Sequence, residues 1–145
     1  MLAESGTEVV YLLRKEFKRW NLDGVTHVYE KHINVSDQDL INRVLDPFEP
    51  NKASRYYNEE VALKEIYAQT NTQQFNNLYA RAQLINPALP NPNVADVFQA
   101  TQAVGKGYKK VNGVIVEVDN INQINIVLRK TSDNRIIIYT SYPQI

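Results

Sequence analysis

The chain has no cysteine. This excludes disulfides and any zinc site built on thiolates. It suits the cytosol, and equally a domain that crosses a membrane unfolded with no cross-link to break. Long apolar runs are missing too: none approaches the ~18 residues that span a bilayer. No signal pattern replaces them, because Glu4 and Glu8 come early and Arg14, Lys15, Lys18 and Arg19 interrupt the apolar positions. No stable membrane insertion is therefore expected. Glycine is scarce, at five residues. Gly105-Lys106-Gly107 lacks the third glycine and the following helix that a phosphate-cradling loop requires. Net charge is absent, with 16 basic and 16 acidic side chains, which argues against holding nucleic acid by bulk electrostatics. The charge is unevenly spread, however. Residues 1–50 carry six basic and nine acidic side chains, and residues 101–145 carry six and three. A local basic surface toward the C-terminus is compatible with that balance.

What is present is 145 residues, 43% of them hydrophobic, enough for one globular domain with a buried core. Ser5 to Glu8 offers a helix cap. Val10, Leu13, Phe17 and Trp20 then follow at helical spacing as the apolar stripe of an amphipathic helix. Residues 21–24 end it. Val25, Val28 and Tyr29 suit the buried side of a second, short helix. Ser36 with Asp39 three residues later has the form of a capping box, and Leu40, Ile41, Val44 and Leu45 share one side of the helix that follows. Asp46 to Pro50 is a loop, and Lys52 to Tyr57 reads as a strand. Asn58 caps a helix through Ala62, Leu63 and Ile66, with Glu59 and Glu60 in its first turn. A further helix starts at Thr72, with Phe75, Leu78, Tyr79, Ala82 and Ile85 at helical spacing. Three prolines in residues 86–93 break it.

The last third changes period. Residues 105–108 read as a flexible, basic opening, followed by Lys109 and Lys110. Val111-Asn112-Gly113 is a turn or bulge, and residues 114–118 are β-branched. Residues 124–130 and 135–142 flank Thr131-Ser132-Asp133-Asn134, which reads as an antiparallel hairpin.

Two places carry candidate chemistry. His32 stands at the junction of two helices and Arg43 lies on the flank of the second, so an imidazole and a guanidinium could meet around a phosphate. On the closing strand, alternation puts Thr140 and Tyr142 on one face and Tyr139 and Ser141 on the other. Two hydroxyls facing one way can donate hydrogen bonds to phosphate oxygens. From residue types alone the plainer readings stay open. His32 is then a junction histidine bonded to backbone, Arg43 a solvated helix residue, Tyr142 packing, and Thr140 a β-propensity choice.

The arrangement resembles a family. The run His27, His32, Ser36-Asp37, Leu40, Arg43, then the distal Val127-Leu128-Arg129 and the closing Tyr139-Thr140-Ser141-Tyr142-Pro143, is similar to the bacterial ribonuclease A-like toxin domains. These sit at the C-terminus of CdiA-type contact-dependent growth inhibition effectors and related toxins. The resemblance covers residues 24–145 and leaves residues 1–23 as an N-terminal helix or linker. It implies an α+β fold, with N-terminal helices packed on a bent antiparallel sheet as in pancreatic ribonuclease but without disulfides. The implied activity is antibacterial RNA cleavage by attack of the ribose 2′-hydroxyl, needing no metal and no cofactor. His32, Arg43, Thr140 and Tyr142 would form the site, with Lys106, Lys109 and Lys110 binding RNA. An imidazole suits the proton abstraction, and a guanidinium suits charge growing on the phosphorane.

The resemblance also implies secretion as the C-terminal part of a larger effector, action in the cytoplasm of a target bacterium, and a cognate immunity protein. One departure is visible. Pancreatic ribonuclease has a histidine acid on its last strand, where this chain has Thr140-Ser141-Tyr142, so no general acid is assigned. In a helix, five residues would set His27 about 140° around the axis from His32, and His27 is read as structural. Two other classes remain open at the sequence level: a barnase-like nuclease with a glutamate base, and a non-catalytic protein-interaction domain.

Overall fold

The computed structural model describes residues 14–19 and 28–145. Residues 14–19 are helical, as the amphipathic pattern predicts, and Phe17 is buried with its ring edge-on to Tyr29 at 6.5 Å. The other positions of that expected helix, and Val25 and His27 after it, lie outside the described residues.

The chain then makes a wide helical turn over Tyr29–Ile33, closed by a bond from the Asn34 amide to the Tyr29 carbonyl at 2.6 Å. The expected short helix is thus a π-turn. Val28, Tyr29 and Ile33 point into the core and leave Lys31 and His32 outside it. Helix α1, Asp37–Leu45, starts at the predicted capping box. The Asp39 amide donates to Ser36 Oγ, and the Ser36 amide donates to Asp39 Oδ2, each at 3.1 Å. Its buried stripe is narrower than expected: Leu40 and Val44 are buried one turn apart, whereas Leu45 is exposed. Arg43 stands beside that stripe, half-buried.

Strand β1, Lys52–Tyr56, turns Ser54 and Tyr56 inward. Helix α2, Glu59–Thr70, is capped by Asn58, and helix α3, Gln73–Gln83, by Thr72. Ala62, Leu63 and Ile66 of α2 join Leu78 and Ala82 of α3 in one core with Phe98, Ile124, Ile126 and Leu128.

Among the described residues, six strands form two three-stranded antiparallel sheets, ordered β1-β3-β4 and β2-β5-β6. The ranges of the remaining strands are β2, Asn93–Gln99; β3, Gly105–Val111; β4, Val114–Ile121; β5, Gln123–Lys130; and β6, Ile136–Pro143. Only Asn122 separates β4 from β5, so the chain runs straight from the first sheet into the second. Together with the helices this is the expected α+β architecture, and the sheet is divided in two.

Strand β2 has no clear sequence signal. Asn93, Ala95, Asp96 and Gln99 are weak strand formers, and the strand exists through its ladder with β5 and the burial of Phe98. The opening at 105–108 is a correction to the flexible reading, because it forms the start of the central strand β3. A Cβ on Gly105 would come within 2.1 Å of the Arg55 carbonyl oxygen and 2.6 Å of Pro143, and one on Gly107 within 2.8 Å of Ile145. These glycines serve close approach of backbones. The β3–β4 turn is as predicted: Asn112 and Gly113 both have positive φ, 51° and 81°, the signature of a tight two-residue hairpin. The β5–β6 hairpin also forms as predicted around residues 131–134.

Candidate active site

An open cleft of about 310 Å³ lies where the π-turn, α1, β1 and the end of β6 meet. His32 and Arg43 line it from the helical side, Lys52 and Ser54 from β1, and Tyr142 and Gln144 from the C-terminal side. The elements that deliver these side chains were legible locally, but the meeting point was not.

His32 is held by its backbone-facing nitrogen. Nδ1 lies 3.0 Å from the carbonyl oxygen of Ser54. A carbonyl can only accept, so Nδ1 carries the hydrogen, and in the neutral ring the basic lone pair sits on Nε2. The wide π-turn sets this geometry, since it ends one residue after His32 and aims the ring at β1. The ring centroid of Tyr142 is 5.0 Å from that of His32, with the planes tilted by 33°. Burial pushes the Tyr142 hydroxyl above its ordinary pKa, so the phenol stays protonated and able to donate.

Arg43 donates from Nη1 to the carbonyl oxygen of Lys31 at 2.8 Å. That bond ties the guanidinium to the residue preceding His32 and uses one of its five N–H groups. Lys31 lines the cleft too, as do Glu49 and Ile145.

Thr140 is not among the cleft-lining residues. It shares a face of the β5–β6 pair with Tyr142, since Val127 and Asn125 are their partners two residues apart. Its Oγ1 is buried without a hydrogen-bond partner, as is Oδ1 of the neighbouring Asn125. Strict alternation fails at Tyr139. A register shift between Val127 and Leu128 gives β6 one extra residue, and the Arg129 guanidinium lies 3.6 Å from the Tyr139 ring centroid. Tyr139 therefore sides with Thr140, while Ser141 faces inward and bonds Tyr56 Oη at 2.6 Å.

The three lysines of the basic stretch separate. Lys106 is engaged: it donates to Asp37 Oδ2 at 2.9 Å and pairs with Glu117 at 2.7 Å. Those carboxylates raise its pKa well above the ordinary lysine value. Asp37 also accepts from Arg55 Nε and Nη2, at 3.0 and 2.8 Å. Lys106 and Arg55 hold the Asp37 carboxyl below its usual range. This network fastens the first turn of α1 to β1 and β3. Lys109 and Lys110 project from opposite faces of β3; Lys110 is exposed and Lys109 half-buried.

Lys31, Lys52, Ser54 and Gln144 were not singled out as site residues. A backbone carbonyl that orients a ring has no sequence signature, and Lys52 is placed only by the pairing of β1. Among the described residues, no group of three or more His, Asp or Glu side chains could hold a metal ion. None of the described helices is long and apolar enough to cross a membrane.

The assembly matches known proteins in two ways. The crystal structure of a CdiA-CT/CdiI complex from Y. kristensenii 33638 has a chain of similar fold. The TM-score is 0.59 at 14% identity, covering 79% of this chain and 95% of that one. No curated protein matches the chain. A family model described as the bacterial CdiA-CT RNAse A domain matches residues 26–143. That span takes in the π-turn, α1, both sheets and every residue that lines the cleft except Gln144 and Ile145, and so the chain belongs to the family of bacterial CdiA-CT ribonuclease A domains, toxins of the ribonuclease A type.

Proposed function

We propose that this domain cleaves RNA without a metal, by transesterification through the ribose 2′-hydroxyl, with His32 as general base. The observation that carries this is the bond from His32 Nδ1 to the Ser54 carbonyl. It fixes the tautomer in which Nε2 is basic, in a cleft shared with Arg43 and Tyr142. In the reaction Nε2 takes the 2′-proton, and O2′ attacks phosphorus. The bond from phosphorus to O5′ then breaks as solvent water protonates the departing oxygen, leaving a 2′,3′-cyclic phosphate and a free 5′-hydroxyl, and the proton on Nε2 returns to solvent. Arg43, already aligned by Lys31, offers its remaining N–H groups to the charge that grows on the non-bridging oxygens. The protonated Tyr142 hydroxyl donates to the same phosphate. Thr140 acts from the adjoining strand position, behind Tyr142. Lys109 and Lys110 draw the polyanion toward the cleft, and Lys106 acts by holding α1 in place.

The domain is delivered as part of a larger secreted effector, acts in the cytoplasm of the target bacterium, and is neutralised by a cognate immunity protein. Membership of the CdiA-CT family supports delivery, and the CdiI complex of the structural neighbour supports the partner.

The deciding experiment uses His32→Asn, which keeps a donor for the Ser54 carbonyl and removes the base. Purified wild type should cut bulk RNA in excess chelator and leave cyclic phosphate ends. His32→Asn should remain folded and not cut. Activity of the variant, or loss of wild-type activity on chelation, sinks the mechanism.

A further inference from the structure

Strand β4 is an edge of its sheet, since β3 is its only strand partner among the described residues. The register sets which side chains share a face. Val116 lies opposite Lys109, Val114 opposite Val111, and Lys109 opposite Lys52. One face therefore carries the two lysines and the valines, while Glu117, opposite Tyr108, turns to the other. Val114 is 62% exposed, Val111 41% and Val116 40%. The Lys110 amide donates to the Asn51 carbonyl at 2.9 Å, which continues the β1–β3 ladder past Lys52. The 46–50 loop thus meets the sheet at the Val111 end, and its Phe48 is 95% exposed. That loop is stiff. The Phe48 amide donates to Asp46 Oδ1 at 2.9 Å and the Glu49 amide to the Asp46 carbonyl at 3.2 Å. Pro47 and Pro50 fix φ on either side of Phe48 and Glu49. Single exposed apolar residues are ordinary, but four gathered at one end of one sheet mark an interaction surface.

We infer that Phe48, Val111, Val114 and Val116 form the apolar anchor for the immunity protein, which presents to them an apolar socket edged by carboxylates. This rests on the partner reading given above and deepens it, because it puts binding energy on residues that take no part in RNA chemistry. The patch abuts the reaction cleft, since Glu49 and Pro50 of the same loop line that cleft. A protein seated here reaches over the opening. Chemistry selects the occupant. Three valines offer neither a donor nor a charge to a polyanion. A second copy meets an electrostatic obstacle: the charged side chains on this face of the three strands are Lys52 and Lys109, so two such faces would oppose lysine to lysine. A different protein with acidic groups opposite Lys109 meets no such repulsion. An aromatic ring on a preformed loop loses little freedom on binding, as suits an interface anchor.

The test compares wild type with Phe48→Ser and with Val114→Thr/Val116→Thr, whose threonines keep the shape and the strand preference of valine. The probe is the purified cognate immunity protein, titrated by calorimetry. Phe48→Ser should weaken the complex about thirtyfold or more, as loss of an anchor does, and the threonine pair should weaken it about tenfold. Cleavage of bulk RNA, affinity for a non-cleavable 2′-O-methyl oligonucleotide and melting temperature should all match wild type.

Unchanged affinity of both variants for the immunity protein overturns the proposal. So does a loss of oligonucleotide affinity in Phe48→Ser with the protein complex intact, which would make the loop an RNA contact. Sedimentation of wild type as a dimer that the threonine pair dissociates, again with the immunity complex intact, would assign the face to a second copy and overturn it too. If wild type itself did not bind the immunity protein, the partner reading would fail and take this surface with it. That result is distinct from tight binding that the variants leave untouched, which sinks the surface alone.

Discussion

The rings of His32 and Tyr142 lie 5.0 Å apart, one on a helical turn near the start of the described fold and the other on its last strand. The contact exists because His32 is hooked to β1 through the Ser54 carbonyl, and Ser54 Oγ donates to the Pro143 carbonyl at 2.5 Å. Ser54 thus joins both halves of the site from a single residue.

Tyr142→Phe separates the hydroxyl from the ring. The ring contact with His32 survives this change, so stability should be nearly unchanged and any loss should appear in kcat. Tyr142→Ala should lose activity and stability together. Because burial raises the Tyr142 pKa, the phenol remains protonated beyond its ordinary value of about 10. Deprotonation of Tyr142 should therefore cause no fall in kcat/KM below that pH. A decline near pH 9 that Tyr142→Phe removes would contradict this assignment, and a pH–rate profile of both proteins checks it.

Arg43→Ala should lower turnover about 10²-fold or more, in line with loss of one transition-state donor. Arg43→Lys should recover little, since a lysine cannot both bond the Lys31 carbonyl and present a fork of donors to phosphate. Single-turnover rates on a fluorogenic RNA measure this. Activity of Arg43→Lys near wild type would mean that charge alone suffices.

Asp37→Asn should destabilise the fold at neutral pH and weaken activity through the setting of α1. The dependence on pH has a definite sign. The folded pKa of Asp37 lies below its unfolded value, so its contribution is fully present above about pH 4 and is lost as pH falls through the folded value. Lys106 has a raised pKa, and its contribution is lost only as pH rises past the ordinary lysine range of about 10.4. The stability gap between wild type and Asp37→Asn should be constant across neutral pH and shrink below about pH 4. Urea melts at several pH values measure it.

The immunity protein should present an acidic face to the basic side of the cleft and occlude it. Association should slow as salt rises, and charge reversal at Lys109 and Lys110 should weaken the one-to-one complex. Stopped-flow association at two ionic strengths tests the steering, and RNA cleavage by the purified complex tests the occlusion. A partner that binds tightly and leaves cleavage untouched would place immunity elsewhere.

Local signals in the sequence were enough for much of the secondary structure. The Ser36–Asp39 box, the Asn58 and Thr72 caps and the Asn112-Gly113 turn act through neighbours a few residues away, so the residues themselves specify them. The two motif blocks pointed to the family in the same way. Strand β2 was not legible, because its weak strand formers acquire their conformation only from the ladder with β5. Nor was the conformation of Gly105 and Gly107, whose need for glycine comes from the backbone and the side chains of Pro143 and Ile145 packed against them.

The site divides in the same way. Residue types named His32, Arg43 and Tyr142 as candidates, and only tertiary structure set them around one cleft. Tertiary structure alone also fixed the His32 tautomer, through a carbonyl on a distant strand. It engaged Lys106 with two carboxylates and set Lys52 against Lys109. The physical reason is the range of the interactions. Caps and turns are settled within one turn of chain, whereas a charge is matched or left unmatched by whatever the fold brings opposite it.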